Sequence, residues 1–450
     1  MSIVFIGIII FLSHFFLAFY IRTKVPDVLF LFVIGILIGP VFNVVQTEHF
    51  GAIGNIFTTL TLVFILFEGS MGLYMSTIRS AWLGTAKISV YNFFTTMLIV
   101  GLLGYFFSGL GLLASFMLGA TVGGTSSIVV IPLVKQLTMG KTSKSILMLE
   151  SAFTDLLCIV FALALLEAYK YGDFHMGSLI GSVVSSFLLG GLIGVAGALV
   201  WSYLLDKVRT IENSMFMTPA FVFVVFGFSE LMGYSGAISA LAFGFTLTNI
   251  NLFNFKLIEK YIAEKPISLN NQEKAFQGEI VFLLKTFFFI YMGISMQFSN
   301  VWWLLIGLLI ALALFFVRIF VVKFSAPSNT SRKDAILMSV IVPKGLAAAV
   351  LASIPLQQGV LGGEFIQSVT FSIIIFSILI TSVLIFLLDR EPAVSDFYAR
   401  FLSKFQLQDD EGFDELYTPE PPEDIYKTYH RKSIKNIADR LNNSEKNQKD

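Results

Sequence analysis

Charged residues are scarce in this chain. They make up 13% of its 450 residues, whereas 56% are hydrophobic, and the mean hydropathy is +0.81. A soluble domain usually carries about 25% charged residues. The composition therefore indicates an all-α polytopic membrane protein, with room for about a dozen spans of ~20 residues each.

Cysteine and histidine are scarce as well. The single cysteine, Cys158, excludes an intrachain disulfide and a cysteine-based metal cluster. The four histidines show no metal-ligand spacing and no nucleophile–base arrangement, and the formal net charge of zero gives no basic character for nucleic acid. No hydrolase, kinase or redox motif is present, so we expect neither an enzyme nor a cofactor.

Apolar segments fill most of the chain, and loop charges predict their orientation. The segments fall at roughly 3–20, 27–45, 54–68, 85–107, 110–134, 145–167, 178–204, 216–231, 235–250, 278–297, 301–322, 334–355 and 365–388. If the N-terminus is outside, lysine and arginine lie in the cytoplasmic loops, and only Lys170 is external. We therefore predict thirteen spans in the cell membrane, with the C-terminus in the cytoplasm. The first segment has no basic n-region or cleavage site, so we expect a retained span.

The two halves of the chain contain similar patterns. TLVFILFEGSMGL at 61–73 resembles TFFFIYMGISMQF at 286–298, which aligns Gly69 with Gly293. About fifty residues after these glycines, the first half contains GATVGGTSS and the second half contains VPKGLAAA. The third and tenth segments run in opposite directions in the predicted topology. This indicates an inverted repeat, which is typical of secondary transporters with a midplane site at discontinuous helices; the alternative is chance recurrence of Phe and Gly.

Two carboxylates lie within the sixth segment, in the sequence ESAFTD at 150–155. An ionised carboxylate inside a membrane costs a few kcal/mol unless it has a partner, lines a wet cavity or is protonated part of the time. On a helix, Glu150 and Asp155 are about 140° apart around the axis. We therefore expect the two acids to face different surroundings and to have different roles.

Two segments contain residues that interrupt a helix. Gly123 and Gly124 stand in the fifth segment beside Thr121, and Pro343 and Gly345 stand in the twelfth. Unwinding would free carbonyls that lipid does not tolerate, so these must face a cavity or protein. Close packing through small residues is the alternative for the glycines. The matching positions in the two halves favour two unwound helices.

Basic residues inside the segments need counter-charges. Arg318 is most simply the partner of a buried acid such as Glu150. Lys344, between Pro343 and Gly345, either neutralises helix ends or a nearby acid, or competes with a cation for a carboxylate. Lys285 is expected to mark the cytoplasmic end of the tenth segment, and Glu68 could guard an entrance on the same side.

Over roughly residues 15–388, the chain resembles the monovalent cation/proton antiporter superfamily on its sodium/proton exchanger side. The resemblance lies in the order and spacing of PDVLFLFVIGILIGP, ILFEGS, ESAFTD, SGAISALAFGFTLTN, Arg318 and PKG. It implies a homodimer, two crossed helices around Gly123 and Pro343, and Asp155 as the transport carboxylate. It also implies a hydroxyl ligand at Ser151 and a structural ion pair between Glu150 and Arg318.

A proton and a sodium ion cannot both neutralise Asp155, so they would compete for it. Hydroxyls of Thr154, Ser151 and Thr121, with unwound carbonyls, would complete the cation site. The pair Thr154-Asp155 replaces the Asn-Asp or Asp-Asp of relatives, and one free carboxylate predicts electroneutral 1:1 exchange of Na⁺, or Li⁺, for H⁺ in pH homeostasis. The alternatives are K⁺/H⁺ exchange and a non-transporting membrane sensor that signals through its tail.

We expect two parts in the chain. Residues 1–388 form the membrane domain, with an ion-site core at about 85–167 and 301–388 and a scaffold and dimer domain at about 1–80 and 178–297. Residues 389–450 form a largely disordered cytoplasmic tail, with short amphipathic helices near 395–405 and 432–442.

Overall fold

Helices form all the regular secondary structure in the described part of the chain. The computed structural model describes residues 2–23, 27–46, 50–72, 75–171, 176–211, 214–253, 268–296 and 300–405. The α-helices are α1 (Ser2–Thr23), α2 (Asp27–Ile36), α3 (Gly51–Met71), α4 (Met75–Phe107), α5 (Leu112–Thr121), α6 (Ser127–Gln136), α7 (Lys141–Tyr171), α8 (Met176–Arg209), α9 (Met217–Leu231), α10 (Gly236–Thr248), α11 (Asn271–Ile294), α12 (Val301–Ser325), α13 (Arg332–Val340), α14 (Leu346–Gln357), α15 (Gly363–Arg390) and α16 (Pro392–Phe401). A π-helical turn (Leu37–Val41) continues α2, and 3₁₀ turns lie at Ser214–Phe216 and Ile250–Phe253.

The predicted apolar segments coincide with these helices. The fifth and twelfth segments are each divided into two short helices, α5 with α6 and α13 with α14. Among the described residues, seven helices are long and apolar enough to cross a membrane, and six shorter apolar helices accompany them. The all-helical, membrane-spanning architecture is therefore confirmed, while the number of spans and the inverted repeat stay predictions.

The helices pack in two groups. In one group α4, α5, α6, α7, α12, α13, α14 and α15 contact one another, and in the other α2, α3, α8, α9, α10 and α11 do so. The groups meet where α14 contacts α3 and α11 and where α7 contacts α8. The predicted assignment of residues 85–167 and 301–388 to a moving core, and of residues 1–80 and 178–297 to a scaffold, stays a prediction.

A glycine contact brings α2 and α11 together. A Cβ atom on Gly293 would collide with the Phe32 carbonyl oxygen and would lie 2.8 Å from the Gly35 Cα. A Cβ atom on Gly35 would lie 2.9 Å from the Gly293 Cα. The two backbones therefore approach more closely than any larger residue permits. On the same two helices, Lys285 of α11 forms a buried ion pair with Asp27 of α2. Lys285 therefore does more than mark the end of a helix, which is the role expected from the sequence.

The start of the tail is helical and packs on the membrane domain. Helix α16 (Pro392–Phe401) lies close to the helix predicted near 395–405 and contacts α12, α13 and α15. The second predicted tail helix, near 432–442, lies outside the described residues, as does most of the 389–450 tail.

The glycine contact predicts a strong dependence on residue size. Gly293→Leu should destabilise the protein by about 1–3 kcal/mol, because the side chain must push two packed backbones apart. The thermal unfolding temperature of purified protein in detergent measures the effect. Gly278→Leu on the same helix is the matched control, because a Cβ atom there has open space. Equal unfolding temperatures for the two variants would contradict the packing argument.

Candidate ion site at the two helix breaks

The two helix breaks contact each other directly. Residues 122–126 separate α5 from α6, and residues 341–345 separate α13 from α14. The Ser126 amide donates to the Pro343 carbonyl at 2.7 Å, and a Cβ atom on Gly345 would collide with the Ser126 side chain. Gly119, which the spacing of the halves aligns with Gly345, instead lies inside α5.

Glycines 123 and 124 let the first break pack closely on its neighbours. A Cβ atom on Gly123 would lie 2.6 Å from the Phe93 ring, and one on Gly124 would lie 2.9 Å from the Cys158 sulfur. Asn92 of α4 donates to the Gly123 carbonyl at 3.4 Å. Asn92 was not singled out from the sequence, although a buried amide in an apolar helix is a usable signal.

Lys344 joins the two breaks and is almost fully buried. Its ammonium group donates to the Gly124 carbonyl at 2.7 Å, and its backbone amide donates to the Ser377 hydroxyl at 2.9 Å. The Gly124 carbonyl follows the C-terminal end of α5, where the helix dipole favours a cation. This contact corresponds to the first predicted role of Lys344, which is to neutralise a helix end.

Thr154 connects α7 to the first break. Its hydroxyl accepts a hydrogen bond from the Thr125 amide at 3.1 Å and donates to the Glu150 carbonyl at 2.9 Å. Thr154 is fully buried. In this arrangement Thr154 links the backbone of the first break to the backbone of α7.

Asp155 lies at the N-terminus of α6. The Ser127 hydroxyl donates to Asp155 Oδ2 at 3.0 Å, and Ser127 is the first residue of α6, where the helix dipole favours a negative charge. Asp155 is partly exposed. In the described part of the chain, no lysine or arginine forms an ion pair with it. Sequence reasoning did not select Ser127, because the hydroxyls around it look equivalent in the sequence.

The other two predicted hydroxyl ligands have different surroundings. Ser151 is buried, and its hydroxyl donates to the Met148 carbonyl of its own helix at 2.8 Å. The hydroxyl of Thr121, the last residue of α5, is buried without a hydrogen-bond partner in the described structure. Of the two, only Thr121 has a free oxygen.

Glu150 faces away from Asp155 and forms a buried ion pair with Arg318. The guanidinium contacts both carboxylate oxygens, with Arg318 Nη2 2.7 Å from Glu150 Oε2. Arg318 Nε also donates to the Met338 carbonyl in the last turns of α13 at 3.0 Å. The pair thus links α7 and α12 to the second broken helix.

A cation at this site would have mainly neutral oxygens around it. The described residues contain no group of three or more His, Cys, Asp and Glu side chains that could hold a metal ion. Asp155 is the carboxylate beside the first break, and the Ser127 hydroxyl is the neutral oxygen that contacts it. Such hard oxygen donors suit a weakly bound, exchangeable cation that serves as substrate.

Comparison with known proteins gives a consistent match. The family model described as sodium/hydrogen exchanger, transmembrane, matches residues 7–389. The K(+)/H(+) antiporter NhaP2 of Shewanella sp. (strain MR-4) is 21% identical over 371 residues, which are 79% of this chain and 61% of the relative. The chain thus matches less than two thirds of that relative's length. The NhaP2 of Shewanella oneidensis is also 21% identical, over 370 residues.

Solved structures show the same fold. The sodium proton antiporter MjNhaP1 from Methanocaldococcus jannaschii at pH 8 is similar with a TM-score of 0.65 and 21% identity, covering 85% of this chain and 99% of that one. A second MjNhaP1 structure, from electron microscopy, gives a TM-score of 0.66 and 18% identity, covering 91% and 99%.

The buried ion pair predicts a particular pattern of stability. Glu150→Gln and Arg318→Gln should each destabilise the protein by about 3–5 kcal/mol, because each leaves one buried charge without its partner. The double variant should recover part of this loss, because neither charge remains. Thermal unfolding of the three variants measures the coupling, and Glu279→Gln, at an exposed position of α11, is the control. Additive losses in the double variant would contradict the prediction.

Proposed function

Because the chain belongs to the sodium/hydrogen exchanger family, we propose that it is a secondary transporter that exchanges Na⁺ for H⁺ across the cell membrane. Li⁺ is a second cation that the same oxygen donors would accept. The observation that carries the proposal is Asp155, a partly exposed carboxylate that lies beside the first helix break and forms no ion pair with a lysine or arginine among the described residues.

Competition at Asp155 explains the coupling. A bound proton or a bound Na⁺ neutralises the carboxylate, whereas the empty carboxylate keeps its charge. Moving a net charge through the membrane interior is penalised by desolvation, so only a loaded site crosses readily. The helix group that contains α5–α7 and α12–α15 would carry the site past the group that contains α2, α3 and α8–α11. The site would then face each side of the membrane in turn, and the cation bound on one side would be exchanged for a proton from the other.

The arrangement of charges favours a 1:1 exchange. Arg318 is neutralised by Glu150, and Lys344 contacts the Gly124 carbonyl. Arg318 therefore need not gain or lose a proton when a cation binds, and we propose that Lys344 keeps its proton throughout the cycle. Asp155 alone would take one proton or one monovalent cation in each half of the cycle, which makes the exchange electroneutral.

The predicted hydroxyl ligands differ in how readily they could bind a cation. These ligands are Thr121, Thr154 and Ser151. The Thr121 hydroxyl is free to bind a cation. The hydroxyls of Thr154 and Ser151 already bond to backbone groups, so they would contribute after a local rearrangement or through their second lone pair.

K⁺/H⁺ exchange is the second candidate function. The NhaP2 relatives are named as K(+)/H(+) antiporters, and one carboxylate with hydroxyl oxygens suits either ion. A non-transporting sensor is the alternative from another class, and an absence of cation-dependent proton flux would favour it. We propose that the protein is a homodimer embedded in lipid, as the family resemblance implies. Its N-terminus would lie outside and its C-terminus in the cytoplasm, as the loop charges predict.

The transport role of Asp155 predicts a complete loss of exchange on substitution. Asp155→Asn should reduce cation-dependent proton flux in proteoliposomes to the level of empty vesicles, because the neutral amide can neither take up a proton nor offer a negative charge to a cation. Na⁺, Li⁺ and K⁺ added in turn identify the cation. Glu279→Gln is the control, and unfolding temperatures establish that both variants fold. Full activity of the Asn variant would rule out Asp155 as the transport site.

Electroneutral exchange predicts insensitivity to voltage. Proton flux driven by a Na⁺ gradient should be the same when a K⁺ diffusion potential of either sign is imposed, because no net charge crosses in a cycle. The flux is followed with a pH-sensitive dye inside the vesicles. If the cation series shows that K⁺ is transported, a diffusion potential set by a permeant lipophilic ion replaces the K⁺ potential. A strong dependence on the potential would exclude 1:1 exchange while leaving the Asp155 result unchanged.

A further inference from the structure

A basic corner lies where the chain leaves its last long helix. Residues after α15 turn back and pack on α12 and α13, with Tyr398, Leu402 and Phe405 buried in one apolar cluster. Arg332, the first residue of α13, donates to the carbonyls of Phe405 at 3.1 Å and Ser403 at 3.4 Å. The segment is therefore fixed to the helix group that carries the ion site.

Three bases converge on this corner: Lys323, Arg332 and Lys404. The Lys404 ammonium donates to the Lys323 carbonyl at 3.2 Å, which brings it to the last turn of α12. Among the described residues, no aspartate or glutamate forms an ion pair with any of the three bases. Backbone carbonyls accept the hydrogen bonds of Arg332 and Lys404, so no carboxylate contact neutralises these two bases directly.

Aromatic rings lead from the apolar face of α12 to the basic corner. Along that face, Leu309, Phe316 and Phe324 have exposed fractions of 65%, 52% and 61%. Phe316 and Phe320 both contact the Phe401 ring of α16, at 6.4 and 6.1 Å between centroids. An apolar face of a membrane helix contacts lipid, so α16 lies at the edge of the bilayer, where aromatic side chains are favoured.

We propose that the basic corner binds the phosphate headgroup of an anionic phospholipid in the leaflet beside α16, with the acyl chains along the apolar face of α12. Bases beside an apolar surface at the bilayer edge are suited to a molecule with an anionic head and a hydrocarbon tail. The bound lipid would couple the carrier helices to the composition of that leaflet, which is cytoplasmic in the proposed topology.

The acidic stretch at residues 409–424 is the competing occupant. It contains eight aspartates and glutamates and no lysine or arginine, and it starts four residues after Phe405. It has the charge to bind the basic corner. The lipid also accounts for the exposed apolar face of α12, because its acyl chains would cover the length of that face beside the aromatic rings.

Native mass spectrometry of the purified full-length chain tests the site, with phosphatidylglycerol as the probe and phosphatidylcholine as the neutral reference. Lys323→Gln/Lys404→Gln should bind phosphatidylglycerol about 25-fold more weakly, since each of the two bases near a headgroup contributes about fivefold. Binding of phosphatidylcholine should not change. The measurement does not involve transport, so it remains valid if the proposed function fails.

Lys141→Gln/Lys207→Gln is the matched control. It removes the same charge from two exposed positions at other helix ends on the same predicted side of the membrane, and it should retain the wild-type preference for phosphatidylglycerol. An unchanged preference in Lys323→Gln/Lys404→Gln would overturn the proposal. A chain that ends at Phe405 should bind like the full-length protein. If the preference appears only in this shortened chain, the acidic stretch occupies the corner, and the lipid proposal is wrong.

Discussion

Opening a helix inside a membrane frees backbone N–H and C=O groups, and each one left without a partner costs several kcal/mol. Here the freed groups of the two breaks bond to each other and to α7. The Ser126 amide bonds to Pro343, Lys344 to the Gly124 carbonyl, and the Thr125 amide to Thr154. The breaks and the centre of α7 therefore form one connected unit, and the position of Asp155, next to Thr154, depends on it.

The buried charges follow from this unit. Glu150 neutralises Arg318, which also bonds to the end of α13, and Lys344 occupies the end of α5. Glu150 thus neutralises Arg318, and the Lys344 ammonium bonds to a backbone carbonyl. Asp155 accepts from the Ser127 hydroxyl at the N-terminus of α6 and forms no ion pair among the described residues, so a cation or a proton could bind it without breaking one.

Helix α13 connects the ion site to the protein surface. Its first turn carries Arg332, which holds the segment after α16, and Asp334, which accepts from the Gly140 amide before α7. Its last turns accept the Arg318 hydrogen bond and lead into the Pro343 break. A short helix that is fixed at both ends moves as a rigid body. A headgroup bound at the basic corner would therefore act on the same body that holds the cation.

Local sequence determined the composition of the site. Apolar runs gave the helices, Gly123 and Pro343 predicted the breaks, and the helical period separated Glu150 from Asp155, because these depend on neighbours along the chain. Contacts between distant segments were decided only by the tertiary structure. Nothing in the sequence distinguishes Ser127 from Ser126, pairs Lys285 with Asp27, or directs Lys344 to the Gly124 carbonyl. Those partners follow from how the helices cross, since a buried charge bonds to whatever acceptor the packing brings within reach.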